Sequence, residues 1–218
     1  MVRFPSLLAI LLVLAGCASG PAEPQPNLTL LKWECLEWHN SGAYARAIEK
    51  AAKPAEQTLE SYLRGPTPQN FAIVFDIDET LLSNWPYLVA NQFAIQPASF
   101  AEWTKREKAI PLTPVQRIYQ RALAYQIPIF LITGRDESLR DATRRDLQEA
   151  GYWGWKGLFM RPAGYTDASI IPFKSGVRKM LHDQGYDVIL NIGDQESDLK
   201  GGYARHDFKL PNPFYFIP

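Results

Sequence analysis

The sequence predicts an α/β fold of the doubly wound, Rossmann-like kind, with a central parallel sheet and helices on both faces. Four short apolar runs recur along the chain: FAIVF at 71–75, IPIFLIT at 127–133, GLFM at 157–160 and DVILNIG at 187–193. The first run has no polar alternation, which is typical of a strand covered on both faces. Segments with helical spacing separate the runs, and helices that alternate with buried strands indicate βαβ crossovers.

An N-terminal helical extension is expected before the first strand. From about Glu34 to Leu63, apolar and small residues recur at spacings of three and four, which predicts an amphipathic helix. Gly42 and Pro54 are positions at which this helix could be interrupted. The segment GPTPQN at 65–70 then ends it.

The remaining helices and an insertion follow in order. The spacing predicts helices from Thr113 to Gln126, from an N-cap at Asp136 to near Gly151, and from Ser175 to Gln184. The segment 82–111 is rich in Trp, Pro and Asn and interrupts the alternation. We interpret it as a small helical cap inserted after the first strand.

The N-terminus indicates a targeting signal. Residues 1–16 carry a lone Arg3 and an apolar run too short to span a bilayer, which is the pattern of a signal peptide. LAGC at 14–17 resembles the lipobox of bacterial lipoproteins. The resemblance implies cleavage after Gly16 and lipidation of Cys17.

The expected organisation has a tether and one domain. Residues 17–32 would be the lipidated N-terminus and linker, and residues 33–218 a single domain. The lipid would anchor the protein to a membrane of a bacterial cell envelope, at the outer membrane or the periplasmic face. The alternative is a secreted or periplasmic protein in which Cys17 carries no lipid.

The charge balance narrows the choice of partners. Lys plus Arg and Asp plus Glu number 23 each, so no nucleic acid polymer is expected as a partner. Hydrophobic residues make up 46% of the 218 residues, enough for one sizeable core. The sequence carries no signal for the oligomeric state.

Polar side chains follow the ends of the predicted strands or lie in the connections between them. They are Asp76, Asp78, Thr80, Thr133, Gly134, Arg135, Lys174, Asp194 and Asp198. Ligands of open α/β sheets bind outside the carboxyl ends of the strands, so these residues are expected at one edge. Four aspartates gathered there would repel one another unless a cation lay among them. Oxygen ligands of this kind select Mg²⁺.

Such a set of groups suits chemistry at a phosphoryl group. A carboxylate can attack phosphorus and form an aspartyl phosphate. The second carboxylate, two residues further on, could protonate the leaving alcohol and then deprotonate the attacking water. Mg²⁺, a lysine and a threonine would neutralise the phosphoryl oxygens.

The motifs resemble those of the haloacid dehalogenase (HAD) superfamily of phosphohydrolases. Asp76-x-Asp78-x-Thr80, Thr133, Lys174 and GDQxSD occur in the order of its four motifs. FDIDETLLSNWPY, LITGR, KSGVR, NIGDQESDLKGG and FKLPNPFYFIP are similar to the class B-like acid phosphatase family, subfamily IIIB. That family includes plant-type acid phosphatases, vegetative storage proteins and bacterial lipoproteins. The presence of Ser83, where bacterial lipoprotein nucleotidases usually carry an acidic residue, places the likeness nearer the plant-type branch.

The resemblance implies the catalytic and metal-binding roles. Asp76 would be the nucleophile and also a Mg²⁺ ligand through its carboxylate. Asp78 would be the general acid/base, and its backbone carbonyl would be a second metal ligand. Asp194 would be the third.

The resemblance also implies the phosphate-binding and supporting roles. The phosphate-binding residues would be Thr133, Gly134 and Lys174. Asp198 would orient Lys174 or a metal-bound water, and Thr80 would brace the loop. Arg135 would either bind substrate or pair with a carboxylate.

The expected function is that of a Mg²⁺-dependent acid phosphatase, a phosphoric monoester hydrolase that acts on small phosphomonoesters. Two alternatives stay open: a non-catalytic storage or binding protein of the same fold, and a phosphotransferase to alcohol acceptors. Trp85, Tyr87 and Trp103 in the predicted cap would either line the leaving-group pocket or pack the cap onto the body.

Overall fold

The fold is seen in a computed structural model, which describes residues 25–65, 70–106 and 110–218. In chain order its elements are α1 (Leu28–Asn40), α2 (Ala43–Leu63), β1 (Phe71–Phe75), β2 (Leu82–Ser83), α3 (Trp85–Ala90), α4 (Pro97–Arg106), β3 (Ile110–Pro111), α5 (Thr113–Ala124), β4 (Ile129–Asp136), α6 (Arg140–Glu149), β5 (Gly157–Arg161), α7 (Ile171–Asp183), β6 (Asp187–Gly193), α8 (Glu196–Leu199) and β7 (Asp207–Lys209).

The central sheet has five strands in the order β5-β4-β1-β6-β7, and every neighbouring pair is parallel. This confirms the predicted α/β fold with a central parallel sheet. The bounds of β1 and β6 coincide with the apolar runs at 71–75 and 187–193. The edge strand β7 was not predicted, because its three residues DFK are not buried and show no apolar run.

Helices cover the sheet on both faces, so β1 lies between two cores. Ile73 belongs to the larger core, which contains residues of α2 and α5, such as Ile48 and Ile118. Val74, the next residue, belongs to the smaller core with Leu181 of α7. Successive side chains of a strand point to opposite faces, so a strand covered on both faces has no polar position.

The N-terminal extension is two helices rather than one. The chain breaks at Gly42, where φ is +74°, a left-handed conformation that glycine adopts without strain. Pro54 does not break α2. Both Pro54 and Lys50, whose carbonyl loses its helical partner to the proline ring, are exposed, so water can satisfy that carbonyl.

Helix α1 begins at Leu28, inside the segment 17–32 that the sequence predicts as lipidated N-terminus and linker. The side chain of Asn27 accepts hydrogen bonds from the backbone N–H groups of Thr29 and Leu30 at 2.9 and 3.2 Å. An N-cap of this kind satisfies the first free donors of a helix. Leu28 and Leu30 are both exposed, so the apolar residues at the start of α1 do not form a buried face. The sequence pattern therefore did not indicate where this helix begins.

The segment 82–111 leaves the sheet and returns to it through one short antiparallel pair. Strand β2 pairs with β3, with Leu82 opposite Pro111. Helices α3 and α4 lie between these strands. None of the helices in the described residues is long and apolar enough to cross a bilayer. The predicted signal peptide, 1–16, and Cys17 lie outside the described residues.

Candidate active site

The loop after β1 is tightly held and presents two aspartates. The backbone N–H of Asp76 donates to the carbonyl of Ile192 at 2.9 Å, so this residue is still fixed by the sheet. The carbonyl of Ile77 accepts the N–H groups of Leu81 and Leu82, each at 2.9 Å. The turn places Glu79 at φ +52°. Asp76 is 6% exposed, so its carboxylate is buried at a rigid sheet edge.

Lys174 joins the exits of β1 and β6. It lies in the first turn of α7, is buried, and donates from Nζ to Oδ1 of Asp76 at 2.7 Å and to Oδ1 of Asp198. Burial alone would lower the pKa of Lys174, but the carboxylates of Asp198 and Asp76 outweigh it and raise that pKa. The two aspartates therefore favour the charged form of Lys174.

Three carboxylates crowd around this one ammonium group. Oxygen atoms of Asp76, Asp194 and Asp198 all lie within 4.8 Å of one another. Burial, followed by the charge of Asp198, raises the pKa of Asp76 well above its usual range. The same two causes raise the pKa of Asp194 to about 7. When all three are ionised, these carboxylates carry more negative charge than Lys174 neutralises.

This excess of buried carboxylate fits a divalent cation. Hard oxygen ligands suit Mg²⁺, and a cation among them would offset the repulsion that raises these pKa values. Both oxygens of Asp198 already accept hydrogen bonds, one from Lys174 and one from the backbone N–H of Gln195 at 2.7 Å. Asp198 is thereby held against Lys174, the residue that it was predicted to orient.

The buried Arg135 forms a second ion-pair cluster, with the half-buried Asp78. Its Nε lies 3.0 and 3.1 Å from the two oxygens of Asp78, and its Nη2 lies 2.7 Å from Oδ1. Nη1 donates to Oδ2 of Asp146 at 3.1 Å and to the hydroxyl of Thr143 at 3.3 Å. Of the two alternatives for Arg135, the structure therefore shows pairing with a carboxylate. Burial raises the pKa of Asp146 to about 6, although Arg135 opposes the shift.

One cavity of about 670 Å³ collects the predicted site residues. All of them line it except Thr80 and Thr133, which are fully buried. The hydroxyl of Thr80 donates to Oδ1 of Asp194 at 3.2 Å, as a bracing residue would. Thr133 accepts the backbone N–H of Arg135 at 3.1 Å. In this arrangement Gly134 lines the cavity beside the predicted phosphate site, and Thr133 lies behind its wall.

The inserted segment lines the cavity with residues of α4, and not with Trp85, Tyr87 or Trp103. Phe100, with small apolar neighbours of α4, lines the cavity and lies 5.6 Å from the guanidinium carbon of Arg135. Trp85 instead stacks on His39 with ring centroids 3.6 Å apart. Tyr87 is buried in the larger core, and the indole N–H of Trp103 donates to Asn84 at 3.1 Å. For these three aromatic residues the structure shows packing.

Several residues around the site were not singled out from the sequence. Glu79 is 1% exposed and accepts the backbone N–H of Asn84 at 2.6 Å and the hydroxyl of Tyr215 at 2.6 Å. Burial, followed by the charge of Asp78, raises the pKa of Glu79 to about 7. Asn84 also donates to Asp78 at 2.8 Å. The DIDET motif did contain Glu79, but its partners lie in other segments of the chain.

The loop after β6 requires glycine at position 193, because the side chain of Asp198 packs directly against its backbone. A Cβ atom on Gly193 would lie 2.3 Å from Cβ of Asp198, so a larger residue there would displace that aspartate. Arg178 of α7 holds the same loop from behind, donating to the carbonyl oxygens of Asp198 at 2.6 Å and Gly202 at 2.8 Å. Arg178 is 1% exposed and has no contact with the cavity.

These observations define a class of protein: an α/β enzyme with a buried carboxylate–lysine cluster, suited to phosphoryl chemistry, at the carboxyl edge of its sheet. The profile of the HAD superfamily, subfamily IIIB (acid phosphatase), matches residues 27–218, and the chain belongs to this family. The expected enzyme class, phosphoric monoester hydrolase, is confirmed at the level of the family.

Similar proteins come from plants and from a bacterium. The chain is 35% identical over 178 residues to acid phosphatase 1 of Solanum lycopersicum, covering 80% of this chain and 69% of that one. It is 32% identical to vegetative storage protein 1 of Arabidopsis thaliana, covering 77% of this chain and 64% of that protein. The class C acid phosphatase from Bacillus anthracis shares the fold, with a TM-score of 0.71 and 19% identity, over 87% of this chain and 85% of that one.

Proposed function

We propose that this chain is a Mg²⁺-dependent acid phosphatase that hydrolyses small phosphomonoesters through an aspartyl phosphate on Asp76. The observation that carries the proposal is the buried contact of Asp76 with Lys174, beside two further carboxylates at the floor of an open cavity. A nucleophile needs fixed placement, and β1 fixes the backbone of Asp76. The family membership supports the reaction class.

The first step would transfer the phosphoryl group to the protein. A carboxylate oxygen of Asp76 forms a bond to phosphorus while the bond from phosphorus to the ester oxygen breaks. Asp78 delivers a proton to the departing alcohol. Lys174 remains charged throughout and neutralises the phosphoryl oxygens. Bound Mg²⁺, held by the carboxylates of Asp76 and Asp194 and the carbonyl of Asp78, would supply further positive charge there.

The second step would release phosphate and restore the nucleophile. Asp78 takes a proton from water, the water oxygen bonds to phosphorus, and the bond from phosphorus to Asp76 breaks. Arg135 and Asn84 hold the carboxylate of Asp78 at the cavity wall, where it serves both steps. An alcohol in place of water would give phosphotransfer with the same residues.

The storage alternative is disfavoured by the energetics of the cluster. Gathering three buried carboxylates around one lysine opposes folding, because desolvated like charges repel. A purely structural or storage role does not need such a cluster, whereas the proposed phosphoryl chemistry uses it. The similarity to vegetative storage protein 1 does not change this argument, because Asp76, Asp78, Lys174 and Asp194 are all present here.

The direct test is hydrolysis of p-nitrophenyl phosphate by the wild type and by Asp76→Asn, with Mg²⁺ and with chelator. The wild type is expected to lose activity in chelator and to regain it with Mg²⁺. Asp76→Asn should be inactive under both conditions. Asp183→Asn, which removes a surface carboxylate paired with Lys179, is the matched control and should retain full activity.

Two outcomes would count against the proposal. Equal activity of the wild type and Asp76→Asn would falsify the nucleophile assignment. Activity that persists in chelator after dialysis would exclude the metal requirement. Adding glycerol and measuring glycerol phosphate separates phosphotransfer from hydrolysis, because only transfer makes the glycerol ester.

For the N-terminus we propose a signal peptide, 1–16, and a lipid on Cys17, with attachment to a bacterial cell envelope. The segment between Cys17 and Leu28 would then tether the first helix to the membrane. The test is the distribution of the full chain between membrane and soluble fractions. Cys17→Ser should shift it to the soluble fraction and Cys35→Ser should not. Retention of Cys17→Ser in the membrane contradicts the lipid.

A further inference from the structure

The segment 212–218 forms hydrogen bonds with Asp194 and with Glu79, which lies next to Asp78. Asn212 donates from Nδ2 to Oδ2 of Asp194 at 2.7 Å. Three residues later, the hydroxyl of Tyr215 donates to Oε2 of Glu79 at 2.6 Å. The same segment lines the cavity through Tyr215, Ile217 and Pro218.

The contact of Asn212 is with a predicted metal ligand. Asp194 accepts hydrogen bonds on both oxygens: Thr80 binds Oδ1 at 3.2 Å, while Gln195 at 2.6 Å and Asn212 bind Oδ2. Asn212 also accepts the backbone N–H of Phe214 at 2.9 Å, which fixes its own side chain. Partners of this kind orient a ligating carboxylate and raise metal affinity.

The contact of Tyr215 leads to the acid/base residue. Tyr215 holds Glu79, and the other oxygen of Glu79 accepts the backbone N–H of Asn84 at 2.6 Å. Asn84 in turn donates to Asp78 at 2.8 Å. Buried hydrogen-bond networks that are satisfied throughout fix the orientation of their members. The hydroxyl of Tyr215 is thus connected to Asp78 through two intermediate residues.

We propose that Asn212 and Tyr215 are positioning residues with separate tasks: Asn212 sets Asp194 for Mg²⁺ binding, and Tyr215, through Glu79 and Asn84, sets Asp78 for proton transfer. The inference rests on the proposed function. It gives the segment 212–215 a role in positioning both aspartates. The sequence does not show this role, because the segment lies outside both aspartate motifs. The inference also predicts that one segment, altered at two points, gives two different kinetic defects.

The test compares Asn212→Ala with Tyr215→Phe on the purified protein. The first readout is the Mg²⁺ concentration that gives half of the metal-induced rise in Tm, which requires no turnover. The second is kcat for p-nitrophenyl phosphate at saturating Mg²⁺. Asn91→Ala and Tyr119→Phe are matched controls, because each loses one hydrogen bond to a backbone carbonyl away from the cavity.

The expected result is a separation of the two defects. Asn212→Ala should raise the half-saturating Mg²⁺ concentration by roughly tenfold or more, with kcat recovered at high Mg²⁺. Tyr215→Phe should leave that concentration unchanged and lower kcat by about tenfold, since a buried hydrogen bond that fixes Glu79 is lost. If Asn212→Ala does not fold, Asn212→Ser replaces it, because a serine hydroxyl can still accept the Phe214 N–H but is too short to reach Asp194.

The contrary results are equally definite. Two variants that lose only thermal stability, or that change both readouts together, overturn the division of tasks. If the wild type hydrolyses the ester with Mg²⁺ while Asn212→Ala keeps the wild-type Mg²⁺ midpoint, the inference fails and the proposed function stands. If the wild type shows neither hydrolysis nor a Mg²⁺-dependent Tm, both fail.

Discussion

Two buried cations lie at the same cavity, and they differ in how completely their charge is matched. Arg135 is shared between Asp78 and Asp146, and Thr143 and the ring of Phe100 complete its surroundings. Lys174 contacts two carboxylates, Asp76 and Asp198, and the third, Asp194, lies within the same cluster.

The difference separates a cluster whose charges are paired from a cluster that can take up a further cation. A guanidinium group offers five donors in a fixed fork, and Asp78, Asp146 and Thr143 accept hydrogen bonds from all three nitrogens of Arg135. An ammonium group is a compact point charge, and the cluster around Lys174 stays short of positive charge by the amount that a metal ion would supply. The shortfall, rather than the number of acidic residues, marks the side of the cavity where a metal ion is expected.

The largest loss of activity should come from removing the charge of Lys174, the cation of the cluster with excess carboxylate. Lys174→Met keeps the length of the side chain but leaves Asp76 and Asp198 facing each other, so kcat/KM should fall by roughly 10²–10³-fold. Steady-state hydrolysis of p-nitrophenyl phosphate at saturating Mg²⁺ measures it. Lys179→Met, on the exposed face of the same helix, is the control. Similar activity in the two variants would show that the buried ammonium has no catalytic role.

A smaller loss of activity is expected from a substitution in the Arg135 cluster, where the charges are paired. Arg135→Lys keeps the charge but cannot reach Asp78 and Asp146 together, so Asp78 loses its fixed orientation. We expect kcat to fall by about tenfold, with an unchanged Mg²⁺ midpoint, because one charge-assisted contact is lost. Arg117→Lys, at the surface pair with Glu49, should have full activity. A shifted Mg²⁺ midpoint in Arg135→Lys would mean that the two clusters are coupled.

The smallest effect is on stability, and its size differs between the clusters. Without metal, Asp194→Asn removes one of three repelling carboxylates and should raise the free energy of unfolding by about 1 kcal/mol. Asp146→Asn removes a carboxylate for which the cost of burial and the pairing with Arg135 oppose each other, so the free energy of unfolding should change by less than about 0.5 kcal/mol. Urea denaturation in chelator measures both. A gain of equal size in the two variants would remove the distinction between the clusters.

The comparison also shows which features the sequence can disclose. Strand exits could be predicted because each follows an apolar run, and parallel strands bring their carboxyl ends to one edge. Asp76 and Asp194 follow two such runs, and Lys174 lies in a connection between two of the strands, so all three were expected at this edge. The edge strand β7 was missed because three partly exposed residues carry no apolar pattern.

The supporting residues could not be predicted in the same way. Tyr215 and Glu79 are 136 positions apart, and no periodicity relates a loop after the first strand to a segment after the last. Asn212 lies between two prolines in LPNPF, and proline restricts the backbone conformation. This is a local indication that the backbone of Asn212 has a fixed position. Hydrogen bonds between distant loops depend on the complete fold, so propensity and spacing do not reveal them.

The antiparallel pair of β2 and β3 has a consequence for how this protein could diversify. Leu82 lies opposite Pro111, and the backbone N–H of Leu112 donates to the carbonyl of Leu81 at 2.9 Å, so the inserted segment departs and returns at adjacent points. Closing a longer or shorter loop between fixed ends changes the free energy only slowly with its length. A longer or shorter insert could therefore be accommodated between these fixed ends, provided that it keeps Asn84, which holds Asp78, and Tyr87, which packs in the larger core.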